Sequence, residues 1–236
     1  MHASGHLKEE IRSMLDEYCE RLGPGLWAEP WNAITNLAFI LAAFMLWRLL
    51  KQRYPANKPI GDLWLVIMVA VIGTGSGLYH TFATVWAMWL DVIPILVFQI
   101  SLLWIYLRRI LRLGWTSSSM LMMIFFAANY IAGLYPDLLN GSMMYAPAIL
   151  SVLLLGILHA MSQPSLTNGK ANHERWLLLA AFGVFCVSLT FRTLDDRLCS
   201  QWPLGTHFLW HLLNGTVLYL ATRAVITARP RADSED

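Results

Sequence analysis

The chain is dominated by long apolar runs separated by short polar islands. Each run has roughly 18 to 25 residues, the length a helix needs to cross a bilayer core of about 30 Å. Charged residues make up 14% of the chain, against roughly a quarter in a soluble domain, and they collect in the islands. The pattern therefore predicts an all-α, polytopic membrane protein.

The apolar runs predict seven transmembrane helices. They cover residues 32–50, 63–80, 86–107, 118–135, 145–161, 176–192 and 206–226. Residues 1–31 then form an N-terminal interfacial segment, 32–227 the seven-helix domain, and 228–236 a disordered polar tail. Within the first segment, apolar residues of 7–22 recur at helical spacing, which predicts a short amphipathic helix at the membrane surface.

The distribution of Lys and Arg between loops predicts the orientation. One side holds Arg48, Lys51, Arg53, Lys58, Arg108, Arg109, Arg112, Lys170, Arg175, Arg223, Arg229 and Arg231. The other side holds Lys8, Arg12, Arg21, Arg192 and Arg197. The richer side is expected to be cytoplasmic, so the N-terminus is extracytoplasmic and the C-terminus cytoplasmic. The polar N-terminus is not a cleavable signal peptide, and the net charge of +2 does not favour nucleic-acid binding.

Ionisable residues within the predicted spans each need a partner or a function, because charge burial in a bilayer is costly, and four of them stand out. They are His80, Asp91, His207 and His211. Under the predicted orientation, all four lie in the outer half of the membrane. This convergence is not an assumption of the topology, so it favours a site on that side.

His207 and His211 are four residues apart, so one helix face carries both rings. With His80 as a third ligand, a tetrahedral zinc ion keeps one position for water, as in catalytic zinc sites. Ser76 precedes His80 by one helical turn and shares its face, and Asp91 can reach the same point. These residues are candidates for a zinc-hydrolase site.

Simpler interpretations compete for each of these residues. A membrane histidine is more often a packing or hydrogen-bonding residue than a ligand, and we expect that role for His159. Ser76 belongs to a small-residue stretch, 73–77, that favours close helix packing. Asp91 could instead cap the start of a helix.

Two further expectations concern the outer side. Cys19 and Cys199 both fall there, and an oxidising compartment would permit a disulfide between them. A charged group lies at the outer end of the sixth span, and we interpret it as an interfacial ion-pair cluster that orders the following loop. Its members are Arg192, Asp195, Asp196 and Arg197.

Three stretches carry a family resemblance: EPWNAITNLAF, GSGLYHTFATVWAMWLD and GTHFLWHLLNG. They resemble the motifs of the alkaline ceramidases, which belong to a superfamily of seven-helix membrane hydrolases that includes the adiponectin and progestin receptors. The resemblance implies zinc bound by His80, His207 and His211, with Ser76 and Asp91 completing the site. It also implies hydrolysis of the amide of a ceramide-like membrane lipid to a sphingoid base and a fatty acid.

The resemblance extends to a possible second metal. The family's N-terminal segment is associated with a calcium site, and the similar stretch here is DEYCERLGPGLWAEPWN. It offers Glu17, Glu20 and Glu29, whose hard carboxylate oxygens suit calcium. The alternative for this stretch is a solvated acidic helix.

Two other functions compete with hydrolysis. A zinc-containing lipid receptor of the same superfamily would bind without turnover, although the short loops leave little room for a partner domain. A membrane haem protein would use His80 and His211 as axial ligands, but it leaves Asp91 and His207 without a purpose. A retinal protein is disfavoured because the seventh span has no lysine. No obligatory protein partner is inferred.

Overall fold

The computed structural model describes residues 15, 17–167 and 170–228, and these residues are mostly helical. The α-helices are α1 (Pro30–Thr35), α2 (Leu37–Arg53), α3 (Ile60–Phe82), α4 (Val85–Ile105), α5 (Trp115–Gly133), α6 (Ala146–Ser162), α7 (Leu177–Leu198) and α8 (His207–Thr227). A π-helical turn, Tyr106–Ile110, extends α4, and 3-10 turns precede α6 (Ser142–Tyr145) and α7 (His173–Trp176). Between α6 and α7, β1 (Leu166–Thr167) pairs antiparallel with β2 (Lys170–Ala171).

Five helical stretches of the described residues are long and apolar enough to cross a membrane. They are Pro30–Arg53, Ile60–Phe82, Val85–Ile110, Ser142–Ser162 and His173–Leu198. The other two predicted spans, 118–135 and 206–226, fall on α5 and α8, which are 19 and 21 residues long but less apolar. Serines open α5, and two histidines lie in the first turns of α8. The chain is an integral membrane protein, and its number of spans stays a prediction.

The predicted N-terminal helix is wrong in its described part. Residues 7–14 lie outside the described residues, as does the tail 229–236, whereas 17–22 form a bend and a turn. Helical continuation is prevented by contacts on both sides of the turn: Cys19 is held in a disulfide, and Glu20 accepts hydrogen bonds from the amides of Trp31 and Asn32. This segment therefore folds back over the end of the bundle.

Four packed helix pairs frame the interior. α3 packs against α2 and α4, while α8 packs against α2 and α7. The main apolar core lies towards one end of these helices and includes fully buried Leu46, Leu65, Tyr106 and Ile226. Many large apolar side chains point outward along the bundle, as lipid contact requires. The three histidines His80, His207 and His211 lie towards the opposite end.

A close helix contact sets the distance between α3 and α4. A Cβ atom on Gly75 would lie 2.0 Å from the carbonyl oxygen of Leu90, so only glycine permits this approach. Pro94 lies inside α4 and has no amide hydrogen, so the Leu90 carbonyl lacks its usual donor four residues on. The contact brings together the next residues of the two helices, Ser76 and Asp91.

Candidate metal centre

Three buried histidines meet at one end of the bundle. His80 lies in the last turn of α3, and His207 and His211 lie in the first turns of α8. One ligand nitrogen from each lies within 4.8 Å of the others. Their ring centroids are 4.6 to 5.1 Å apart, and each residue is 1 to 2% exposed. The predicted convergence of the three histidines is confirmed.

Hydrogen bonds orient these rings and leave nitrogens directed into the cluster. The Nδ1 atom of His80 lies 2.5 Å from a carboxylate oxygen of Glu29, and the Nδ1 atom of His211 lies 3.1 Å from the Thr35 hydroxyl. Among the described residues, His80 Nε2 and His207 Nδ1 are buried with no hydrogen-bond partner. Buried polar atoms without partners are costly, and a metal ion at the cluster would satisfy them.

The donor set fits zinc among the metals a protein binds. Imidazole nitrogens suit zinc and related transition metals, whereas calcium and magnesium prefer oxygen. Three protein ligands leave a zinc ion one open position. The carboxylate of Glu29 behind His80 is the usual way in which an outer residue fixes the orientation of a zinc-binding imidazole.

The haem alternative is wrong, because the rings of His80 and His211 are too close. Their centroids are 4.6 Å apart. The axial ligands of a haem stand on opposite faces of the porphyrin, and no porphyrin fits between rings at this separation.

Ser76 and Asp91 lie beside the histidine cluster. Both line the same cavity as His207 and His211, and the Ser76 hydroxyl is close enough to Asp91 to interact with its carboxylate. Asp91 lies well inside α4, whose N-cap residue is Thr84, so it does not cap that helix. An acid and a hydroxyl therefore face the space in front of the histidines.

The three glutamates predicted to bind calcium have other partners. Glu17 accepts from the Tyr79 hydroxyl at 2.9 Å, and both oxygens of Glu20 accept from backbone amides at the start of α1. Burial raises the pKa of Glu20 above its ordinary value, even though these amides favour its carboxylate form. Glu29 binds His80, Asn32 and the Arg21 guanidinium. Calcium there would have to displace these groups, so the arrangement does not fit it.

Arg21 holds the N-terminal turn against the metal centre. Its Nε donates to Glu29 at 2.5 Å, and a terminal nitrogen donates to the backbone carbonyl of His80 at 3.2 Å. Arg21 is 5% exposed, so this ion pair is shielded from water. The guanidinium thus fixes the carboxylate that in turn orients the His80 ring.

Asp195 and the disulfide position the other two histidines. The structure joins Cys19 to Cys199, as predicted. One oxygen of Asp195 accepts from the amides of Thr206 and His207 at 2.5 and 2.9 Å, and the other from the Cys19 amide. The predicted ion-pair cluster is therefore wrong: Asp195 caps α8 instead of pairing with Arg192.

Sequence reasoning missed several of these supporting residues. Glu29 and Thr35 both lie in EPWNAITNLAF, the first of the three motifs. The motif could have indicated these two residues, but their hydrogen bonds to the histidines were not predicted. Tyr18 stacks on His207 with a centroid separation of 3.9 Å, although it was expected on an interfacial helix. Burial raises the pKa of the Tyr18 phenol well above its ordinary value, so the ring stays neutral.

Comparison with known proteins agrees with the motif resemblance. A family model described as Ceramidase matches residues 16–236, which include all the described contacts of the metal centre. No curated protein matches the chain.

Proposed function

The chain belongs to the Ceramidase family, and we propose that it is a zinc-dependent intramembrane hydrolase acting on a linear amide. Its substrate would be ceramide or a ceramide-like lipid, and its products a sphingoid base and a fatty acid. The observation that carries the proposal is the meeting of three buried histidines, two of which have a buried ring nitrogen without a hydrogen-bond partner.

His80, His207 and His211 would hold the zinc ion. When bound there, zinc would lower the pKa of a water molecule toward about 7 and polarise the amide carbonyl. Glu29 and Thr35 keep two of the rings in place by hydrogen bonds to Nδ1. The ligand geometry is thus supplied before any substrate enters.

Asp91 and Ser76 would handle the proton and the developing charge. The Asp91 carboxylate would accept a proton from the attacking water and later deliver it to the nitrogen of the leaving amine. The Ser76 hydroxyl would donate a hydrogen bond to the carbonyl oxygen as that oxygen gains negative charge. Their adjacency across the contact between α3 and α4 supports this division of roles.

The cavity suits a lipid amide. Its apolar wall includes Phe39, Ile72, Phe98, Phe125 and Leu155, which would accommodate a hydrocarbon chain. Its polar end carries His207, His211, Ser76 and Asp91. A substrate could therefore keep its chains among the helices while its amide lies at the metal, in the outer half of the membrane under the predicted orientation.

Zinc content provides the first test. We expect about one zinc per chain by mass spectrometry of detergent-purified protein, because three histidines with one open position form a catalytic zinc site. The double variant His207→Ala, His211→Ala should lose the zinc. His173→Gln is the matched control, because His173 is exposed and lies outside the cluster, and it should keep the zinc.

Turnover provides the second part of the test. Asp91→Asn should retain zinc but lose roughly 10²- to 10⁴-fold in the rate of fatty-acid release from ceramide, the range for a missing general base. Zinc-loaded wild type that releases no fatty acid from either ceramide or ceramide 1-phosphate would overturn the proposed function. Undiminished turnover in Asp91→Asn would overturn the role of Asp91 only.

A further inference from the structure

Arg192 is a charged residue in a membrane-spanning stretch with no carboxylate at ion-pair distance, although Asp91 and Glu17 interact with it electrostatically across the cavity. It lies near the end of His173–Leu198, and no carboxylate of the described residues forms an ion pair with it. Its hydrogen bonds are with neutral groups: one terminal nitrogen donates to the Asn140 carbonyl at 2.6 Å and to the Ser142 hydroxyl at 3.3 Å, and the Tyr145 side chain is a further hydrogen-bond partner. A cation at this depth needs an anion or a function.

The guanidinium lies close to the metal centre. Its carbon atom is 5.2 Å from the centroid of the Tyr145 ring and 5.9 Å from that of Trp210. Trp210 in turn stacks beside His207 with centroids 6.5 Å apart. Arg192 therefore stands one indole ring away from a proposed zinc ligand, and it lines the same cavity as Ser76 and Asp91.

The two aromatic rings hold the guanidinium without neutralising it. Cation–π contacts and a bond to a backbone carbonyl orient the group and leave its net charge in place. Only one of its nitrogens donates in the hydrogen bonds to Asn140 and Ser142. The planar fork of arginine matches a phosphate, sulfonate or carboxylate through paired hydrogen bonds, and a partly desolvated site strengthens them.

We propose that Arg192 binds an anionic headgroup of the lipid substrate and so determines specificity. The preferred substrate is then an N-acyl lipid whose headgroup carries a negatively charged oxygen group near the amide. A ceramide with a free hydroxyl lacks that group. This inference rests on the proposed hydrolysis and names the substrate class for it.

The test compares two lipids that differ in headgroup only. Wild type should hydrolyse ceramide 1-phosphate with a kcat/KM at least about tenfold above that of ceramide with the same chains, measured in one non-ionic detergent. Arg192→Gln should lower this ratio about tenfold or more, the effect expected for a lost charge-assisted hydrogen bond. Arg197→Gln is the matched control, since Arg197 is exposed on the same helix, and it should keep the wild-type ratio.

A binding measurement separates this inference from the proposed function. Dodecyl phosphate should raise the thermal unfolding midpoint of wild type more than dodecanol does, and Arg192→Gln with wild-type zinc content should lose that difference. Ceramide hydrolysis without any preference for the phosphate would overturn the inference and leave the function standing. Binding of the phosphate through Arg192 without hydrolysis of either lipid would support the anion site and overturn the function.

Discussion

Each proposed zinc ligand depends on a neighbouring residue that holds its ring or its backbone. Glu29 binds the Nδ1 atom of His80, and Asp195 accepts from the amide of His207. The contact to the His80 ring selects one imidazole tautomer and one ring orientation, and its carboxylate also raises the basicity of the ligand. The contact to the His207 amide fixes the backbone from which that ring projects. The metal affinity of the chain should therefore respond to residues that never touch the metal.

Glu29→Gln tests this dependence at the residue scale. It should lower zinc affinity about 10- to 100-fold, because the neutral amide no longer raises the basicity of His80. Competition with a calibrated chelator measures the affinity without any need for turnover. Glu17→Gln is the control, since Glu17 is exposed and bonds to Tyr79 instead of a histidine.

Glu29→Gln also leaves the buried Arg21 charge unpaired, which typically costs about 3 to 5 kcal/mol of stability. The double variant Arg21→Met, Glu29→Gln removes that unpaired charge. A loss of zinc affinity can then be distinguished from a loss of stability. Its zinc affinity should stay low while its thermal unfolding midpoint recovers. Wild-type zinc affinity in both variants would contradict the positioning role of Glu29.

At the scale of helices, the contact between α3 and α4 places the acid beside the hydroxyl. A side chain at position 75 would overlap the backbone atoms of Leu90. Backbone atoms cannot move aside as the end of a flexible side chain can, so the overlap is costly. Any added atom must therefore separate the two helices. Because Asp91 follows Leu90 directly, a separation displaces its carboxylate from Ser76.

Gly75→Ala should consequently reduce both stability and turnover. We expect a loss of about 1 to 3 kcal/mol from overpacking, and a fall in ceramide hydrolysis of about tenfold or more from the displaced carboxylate. Zinc content should be retained, since the atoms nearest to the added methyl group belong to α4 and not to α8. Thermal unfolding, metal analysis and the hydrolysis rate measure the three effects.

Gly77→Ala is the matched control on the same helix. A Cβ atom there would meet Asn36 at 3.8 Å, an ordinary van der Waals distance. Alanine has the higher helix propensity, so this variant should be neutral or slightly stabilising. Equal losses in the two variants would show that any change in this glycine-rich stretch is harmful and would contradict the specific role of the Leu90 contact.

At the scale of the whole molecule, the features that could be predicted from the sequence are those that depend on periodicity and hydropathy. Five spans and the spacing of His207 and His211 follow from local patterns. The roles of Glu29 and Asp195 could not be predicted, because each depends on a segment distant in sequence. Asp195 accepts a hydrogen bond from the backbone amide of Cys19, which is 176 residues away, and no local sequence pattern encodes that contact.

Two independent features agree on the orientation of the bundle. The excess of Lys and Arg predicts which loops are cytoplasmic. The disulfide between Cys19 and Cys199 requires an oxidising compartment, and both cysteines lie on the side that the charge rule makes extracytoplasmic. The metal centre lies at the same end, since Asp195 contacts both Cys19 and His207.

Thiol labelling of intact cells tests the orientation and the spans α5 and α8 together. The background variant is Cys186→Ala, because Cys186 is the free cysteine of the described residues and the disulfide does not react with maleimides. With seven spans, a membrane-impermeant maleimide should label Asp137→Cys from outside. It should reach Asn57→Cys, and a cysteine appended after Asp236, only in permeabilised cells.

Each position reports on a different part of the topology. Asn57 and Asp137 are exposed in the loops before α3 and after α5, so cysteines there should react wherever the reagent has access. Protection of Asp137→Cys in intact cells would mean that α5 does not cross, as its serines and lower hydropathy would explain. When Asp137→Cys is labelled from outside, labelling of the appended cysteine as well would exclude α8 as a span. Labelling of Asn57→Cys in intact cells would mean that the orientation is the reverse of the one that the charge rule predicts.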